Sequence, residues 1–186
     1  MSIPNRNFNF PTALKFGAGR IRELADHCKA NDMQRPLFVT DPGLASMPMV
    51  KGIIDDVKRA GLAIEMFSDV RPNPIEANII EGVKAYKAGR HDGVIAFGGG
   101  SGRDIGKMIA LMHGQNISVF ELEDIGDWWT RADASVISPI IAVPLALAGA
   151  CLDLPEVVLL RLEEVVGVEP RVHRGLPELR LGVALC

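Results

Sequence analysis

A short apolar run, Gly93-Val94-Ile95-Ala96-Phe97, stops abruptly at Gly98-Gly99-Gly100-Ser101-Gly102-Arg103-Asp104, and apolar residues at helical spacing begin directly behind it. A strand that is apolar on both faces has to be covered on both, as in a parallel sheet flanked by helices. Glycines at its carboxyl end let the chain turn sharply into a helix, and the first N–H groups of that helix lack partners and attract phosphate. The same glycines also suit a plain tight turn where strand and helix pack closely. Starting the G-x-G-x-x-G spacing at any glycine from Gly98 to Gly102 puts another residue at a required later position, so the run is not the dinucleotide fingerprint.

Strand and helix patterns alternate around this segment. Leu37-Phe38-Val39-Thr40 reads as a strand ended by Asp41-Pro42-Gly43, and residues 47–60 carry apolar residues at helical spacing. A second strand over 62–67 follows, then a break at Arg71-Pro72-Asn73-Pro74, then an amphipathic helix over 75–88. The glycine run leads into a helix over 101–112 whose expected apolar stripe is Ile105, Met108, Ile109 and Met112. Pro139-Ile140-Ile141-Ala142-Val143-Pro144 reads as a further buried strand, and residues 20–30 as a helix after a turn at Phe16-Gly17-Ala18-Gly19. This alternation predicts an α/β fold with a doubly wound, mainly parallel, Rossmann-like sheet, and any ligand outside the carboxyl ends of the strands. Asp41 and the glycine loop both fall at such ends. An acidic residue there can accept hydrogen bonds from both hydroxyls of an adenosine ribose while repelling a 2′-phosphate, which favours NAD over NADP. Asp before Pro-Gly is also an ordinary turn former.

Composition excludes other classes of partner. A net charge of -3 with no clustered Lys or Arg provides no field for a phosphate backbone, so nucleic acid is not expected. No apolar run approaches the roughly 20 residues that cross a bilayer, which leads to the expectation of a cytoplasmic protein with no membrane partner. Cys28, Cys151 and Cys186 are far apart and form no Cys-x-x-Cys pair, so they read as buried or incidental thiols. His27, His91, His113 and His173 include no pair at helical ligand spacing, and no metal site and no catalytic residue is assigned. Trp128 and Trp129 suit either a loop or interface element or ordinary core packing.

The ordered set Phe16-Gly17-Ala18-Gly19, Val39-Thr40-Asp41-Pro42-Gly43-Leu44, Pro72-Asn73-Pro74, Gly98-Gly99-Gly100-Ser101 with Asp104 and Lys107, and residues 139–144 resembles the iron-containing (group III) alcohol dehydrogenases over residues 8–144. Glycerol dehydrogenase and dehydroquinate synthase share that fold. The resemblance implies an NAD-linked oxidoreductase that interconverts a small alcohol and its aldehyde or ketone. It implies that Asp41 binds the adenosine ribose, that Asn73 lies beside the cofactor, and that Gly99, Gly100, Ser101 and Asp104 hold the pyrophosphate. A homo-oligomer is also in keeping with the family.

The family's metal, iron(II) or zinc(II), is held by one Asp and three His on a following helical domain, and that ligand set has no match here. After Pro144 the family continues with a Thr-Thr-x-Gly-Thr-Gly-Ser-Glu-like segment, whereas this chain reads Leu145-Ala146-Leu147-Ala148-Gly149-Ala150. From residue 145 to the end it contains no Ile, Lys or aromatic residue. The expected organisation is therefore an NAD-binding α/β domain over 1–144 and a divergent or frameshifted tail over 145–186, lacking the helical metal-binding domain. Leu-Ala-Leu-Ala can be encoded by codons whose neighbouring reading frame gives Gly-Thr-Gly, which motivates the frameshift expectation. The alternative is a non-catalytic nucleotide-binding remnant or interaction module.

Overall fold

The computed structural model describes Lys15, residues 19–123, Ile125 and residues 128–145. The Phe16-Gly17-Ala18 turn, Cys151, Cys186, His173 and the tail from residue 146 lie outside the described residues.

Four strands, β1 (Pro36–Val39), β2 (Glu65–Phe67), β3 (Gly93–Gly98) and β4 (Ile140–Pro144), form one parallel sheet in the order β2-β1-β3-β4. Helices α1 (Leu24–Ala30) and α3 (Pro48–Arg59) cover one face, where Cys28, Val50, Ile53, Ile54 and Val57 meet Phe38, Ile95, Phe97, Ile141 and Val143. Helices α4 (Glu76–Ala88) and α5 (Gly100–Met112) cover the other, where Tyr86, Ile105, Ile109 and Ala110 meet Leu37, Val39, Val94, Ala96 and Ile140. Neighbouring strand residues thus alternate between two cores, and this is why β1 and β3 are apolar and buried throughout. Each such Val, Ile or Phe contributes about 1.5–3 kcal/mol by leaving water. The Phe38 and Phe97 rings stack across the two central strands at 5.2 Å between centroids.

The doubly wound α/β expectation holds, with local differences. The strand expected over 62–67 is shorter: Leu62 and Ile64 are buried, but the Ala63 N–H donates to the Gln34 carbonyl at 2.9 Å, and the register with β1 begins at Glu65 opposite Leu37. The helix expected over 20–30 opens as a 3-10 turn, Arg20–Glu23, after Gly19 at φ 75°. The turn after β1 is the start of a short helix, α2 (Pro42–Ala45). On α5 the buried face is Gly102, Ile105, Gly106, Ile109 and Ala110, while Met108 and Met112 are half-buried. Helix and strand approach so closely that a Cβ on Gly106 would stand 2.5 Å from the Ala96 Cβ, which moves the contact stripe off the methionines. No helix among the described residues is long and apolar enough to cross a membrane.

Candidate functional site

The chain leaves β1 toward β2 on one side and returns to β3 on the other, so the carboxyl ends of β1 and β3 flank a topological switch point. A cleft of ≈ 470 Å³ opens there. Residues 41–43 after β1, residues 69–72 after β2 and residues 99–102 at the start of α5 line it.

The glycine loop divides into two kinds of position. Gly98 has φ +123°, and a Cβ there would meet Leu44 Cδ1 at 2.8 Å; a Cβ on Gly102 would meet the Phe97 carbonyl oxygen at 2.8 Å. These two glycines serve the tight packing of strand on helix. Gly99 and Gly100 have nothing within 4 Å of a built Cβ, so close packing does not account for them. Their missing side chains leave the amino terminus of α5 open to the cleft, where the N–H groups of the first turn are free to bind an anion. Ser101, half-buried, lines the same wall.

Asp41 fulfils the turn-forming alternative as a helix cap: Oδ1 accepts the Leu44 N–H at 3.0 Å, and Pro42 occupies the first turn of α2. Among the described residues its Oδ2 takes no hydrogen bond, and this oxygen lies 3.6 Å from the place of a Gly98 Cβ. Just behind it Thr40 is fully buried with its hydroxyl unpartnered.

The structure brings Asp41, Gly99, Gly100 and Ser101 together around one cleft. Asn73 follows the lining residue Pro72 at the rim, exposed and at φ 52°. Asp104 is not among the lining residues; it is exposed, with Oδ1 3.8 Å from Lys107 Nζ. Two polar residues of the lining, Asp69 and Arg71, are not among the sequence-expected site residues. Buried Asn78, outside the lining, holds their loop by donating Nδ2 to the Asp69 carbonyl at 2.9 Å and accepting the Ile75 N–H at 3.2 Å. The sequence signal was the Pro-Asn-Pro break itself, followed by a polar residue inside an apolar helix face.

At the opposite end of the sheet the Tyr86 hydroxyl bonds the Ser138 hydroxyl, whose Oγ lies 2.7 Å from His113 Nε2. Burial pushes the Tyr86 hydroxyl up and the His113 imidazole down, with Lys87 adding to the latter. His27 faces Glu23 at 3.3 Å, and His91 donates Nδ1–H to the Arg35 carbonyl at 2.7 Å. Among the described residues no three His, Cys, Asp or Glu side chains gather as a metal ion requires. Burial pushes the Cys28 thiol up to about 12, which leaves it unreactive at neutral pH. Trp128 lies on a 3-10 turn, Trp128–Arg131, with the Arg131 guanidinium 4.4 Å from its ring centroid.

Choline dehydrogenase of Bacillus subtilis (strain 168) is 34% identical over 116 residues, covering 62% of this chain and 29% of that protein. Alcohol dehydrogenase 4 of Saccharomyces cerevisiae (strain YJM789) is 35% identical over 105 residues, covering 56% of this chain and 28% of that protein. The chain thus spans less than a third of the length of these relatives. Among solved structures, sulfoacetaldehyde reductase from Bifidobacterium kashiwanohense in complex with NAD+ superposes with a TM-score of 0.64 at 25% identity, covering 74% of this chain and 35% of that one. The family profile described as iron-containing alcohol dehydrogenase matches residues 11–163, running past Pro144 into the tail. With a match over most of its length, and the sheet and glycine loop arranged as above, the chain belongs to the iron-containing alcohol dehydrogenase family.

Proposed function

We propose that the cleft binds NAD and that the chain takes part in NAD-linked interconversion of a small alcohol and its aldehyde or ketone. The observation that carries this reading is the pair Gly99 and Gly100, whose side-chain positions are empty space facing a helix amino terminus. The backbone N–H groups there, with Ser101, hold the pyrophosphate. Asp41 accepts ribose hydroxyl protons through Oδ2 while Oδ1 keeps its cap. A 2′-phosphate beside that carboxylate would meet a repulsion of about 4 kcal/mol for unit charges some 4 Å apart at an effective dielectric of about 20, hence NAD rather than NADP. Asn73 borders the cofactor from the rim. Asp104 drops out of the contact set, since its carboxylate is exposed outside the cleft lining and faces Lys107.

The NAD+ complex of the sulfoacetaldehyde reductase supports the choice of cofactor. NAD supplies hydride acceptance when bound; this chain's described residues bind and orient it. The family's metal finds no ligand group among the described residues, and no step is assigned to it. Calorimetry with NAD, NADP and the Asp41→Asn variant tests the reading. Asp41→Asn keeps the cap acceptor and removes the charge, so NAD binding weakens and the gap between NAD and NADP narrows. Absence of NAD binding at millimolar concentration, or a cofactor preference untouched by Asp41→Asn, overturns it.

A further inference from the structure

The lining of the cleft is electrostatically unbalanced for an anionic ligand. Asp41 and Asp69 both contribute to it, and Arg71 is the single cation among the lining residues. Arg71 is exposed and, among the described residues, takes no ion pair or hydrogen bond. Among the described residues the Arg22 and Arg90 side chains also take no ion pair or hydrogen bond, whereas Arg20 pairs with Glu23, Arg59 with Asp56, Arg35 donates to the Gly89 carbonyl and Arg103 to the Gly99 carbonyl. Of the unpaired arginines, Arg71 is the one that lines this cleft.

This unspent guanidinium stands on a rigid lip. Val70, its neighbour, is 1% exposed within the core, and Pro72 and Pro74 restrict the backbone that follows. Asn78, 4% exposed, bonds the carbonyl of Asp69 and the N–H of Ile75, so one buried amide closes both ends of the loop. A buried side chain that spends its donor and its acceptor on either end of a surface loop fixes the shape of that loop. The lip therefore fixes the backbone at Arg71, which lines the same cleft as the open amino terminus of α5.

We propose that Arg71 is a phosphate-recognising residue of this cleft, taking a phosphate oxygen of the bound nucleotide, and that Asn78 is the positioning residue that holds it there. The proposal rests on the reading of the cleft as a nucleotide site. A guanidinium supplies paired N–H donors and charge, and the N–H groups of α5 supply the opposing donors. Without Arg71 the lining offers a pyrophosphate two carboxylates and no cationic side chain.

Titration of the full chain with adenosine, ADP and 2′-AMP separates the possibilities. Arg71→Gln changes an exposed side chain, and an unchanged far-UV spectrum checks that it folds. The expected result is an affinity for ADP lowered about tenfold, as for loss of one charge-assisted hydrogen bond, with adenosine unaffected and the salt dependence of ADP binding reduced. Arg71→Lys restores part of the loss. Asn78→Ala weakens ADP in the same selective way and speeds amide exchange at Ile75. Asn78→Asp, which keeps the acceptor for Ile75 but sets a buried carboxylate against the Asp69 carbonyl, weakens ADP at least as much as Asn78→Ala. A selective loss on 2′-AMP instead of ADP puts Arg71 at a ribose phosphate, which NAD lacks, and overturns the proposal. Equal losses on adenosine and ADP, or no loss on either phosphate, overturn the proposal while wild-type binding leaves the nucleotide site standing. Failure of the wild-type chain to bind adenosine and ADP alike removes the site and the role of Arg71 together.

Discussion

The two ends of the sheet use polar residues in opposite ways. At the amino-terminal end they are spent on one another: Asp92 accepts the Gln34 and Arg35 N–H groups at 2.7 and 2.8 Å, and Tyr86, Ser138 and His113 form a connected chain. Even His91 Nε2, which lacks a hydrogen bond, faces the Glu65 carboxylate at 3.7 Å. At the carboxyl-terminal end, polar capacity is left over. Asp41 uses one oxygen, Arg71 uses none of its donors, the Thr40 hydroxyl is buried without a partner, and two glycines keep the first turn of α5 bare. Satisfied polar groups specify a fold, whereas unsatisfied ones around a cleft are available to a ligand.

The contrast is sharpest within the glycine loop, where the largest effect is expected. Gly102→Ala brings a Cβ against the Phe97 carbonyl and should cost about 2–3 kcal/mol of stability. Gly100→Ala enters open space and should leave stability within about 0.5 kcal/mol while weakening NAD by roughly tenfold. Urea unfolding and calorimetry on the two variants decide the matter, and equal stability losses would erase the distinction. At the other end, Ser138→Ala strands the Tyr86 hydroxyl and should cost about 2 kcal/mol with NAD affinity unchanged. A loss of NAD affinity in this variant would join the two ends.

The smallest effect is in pH. Burial, aided by Lys87 and opposed by the Val136 carbonyl, holds the His113 imidazole below its ordinary 6.5 in the folded chain. The native state then binds fewer protons than the unfolded one. The contribution of His113 is in place above pH 6.5 and is lost as pH falls below it toward the lowered value. Urea midpoints of the wild type should therefore drop more steeply below that pH than those of His113→Gln, and parallel curves would show that His113 is not held neutral by the fold.

What was legible in the sequence followed from periodicity. β1, β3, β4, α3, α4 and α5 are found within two residues of their expected ends, because runs buried on both faces and stripes at helical spacing leave little freedom. Asp41 and the glycine loop were placed at strand ends for the same reason. The structure adds what spacing does not carry: that Gly98 and Gly102 are packing glycines while Gly99 and Gly100 are not, since only the neighbours across space tell them apart. Asn78 and Ser138 escaped notice because a polar residue in an apolar pattern reads as exposed until its partner, eight or more residues away, is located in three dimensions. Arg71 was hidden inside a segment that signalled only a chain break. Apolar character alone does not distinguish a ladder from an irregular edge, so Ile64 reads as strand although the register with β1 begins at Glu65.

Asp41 also limits how this cleft could be re-engineered. One carboxylate oxygen anchors the first turn of α2, and the other is the proposed ribose contact. Replacement by alanine to admit a 2′-phosphate would remove both at once, with about 0.5–2 kcal/mol of local stability going with the cap. Asparagine and serine keep an acceptor for the Leu44 N–H and discard the charge. A change of cofactor preference at this position is therefore open through a narrow set of residues, those that can begin a helix, and the backbone of α2 chooses among substitutions before any nucleotide does.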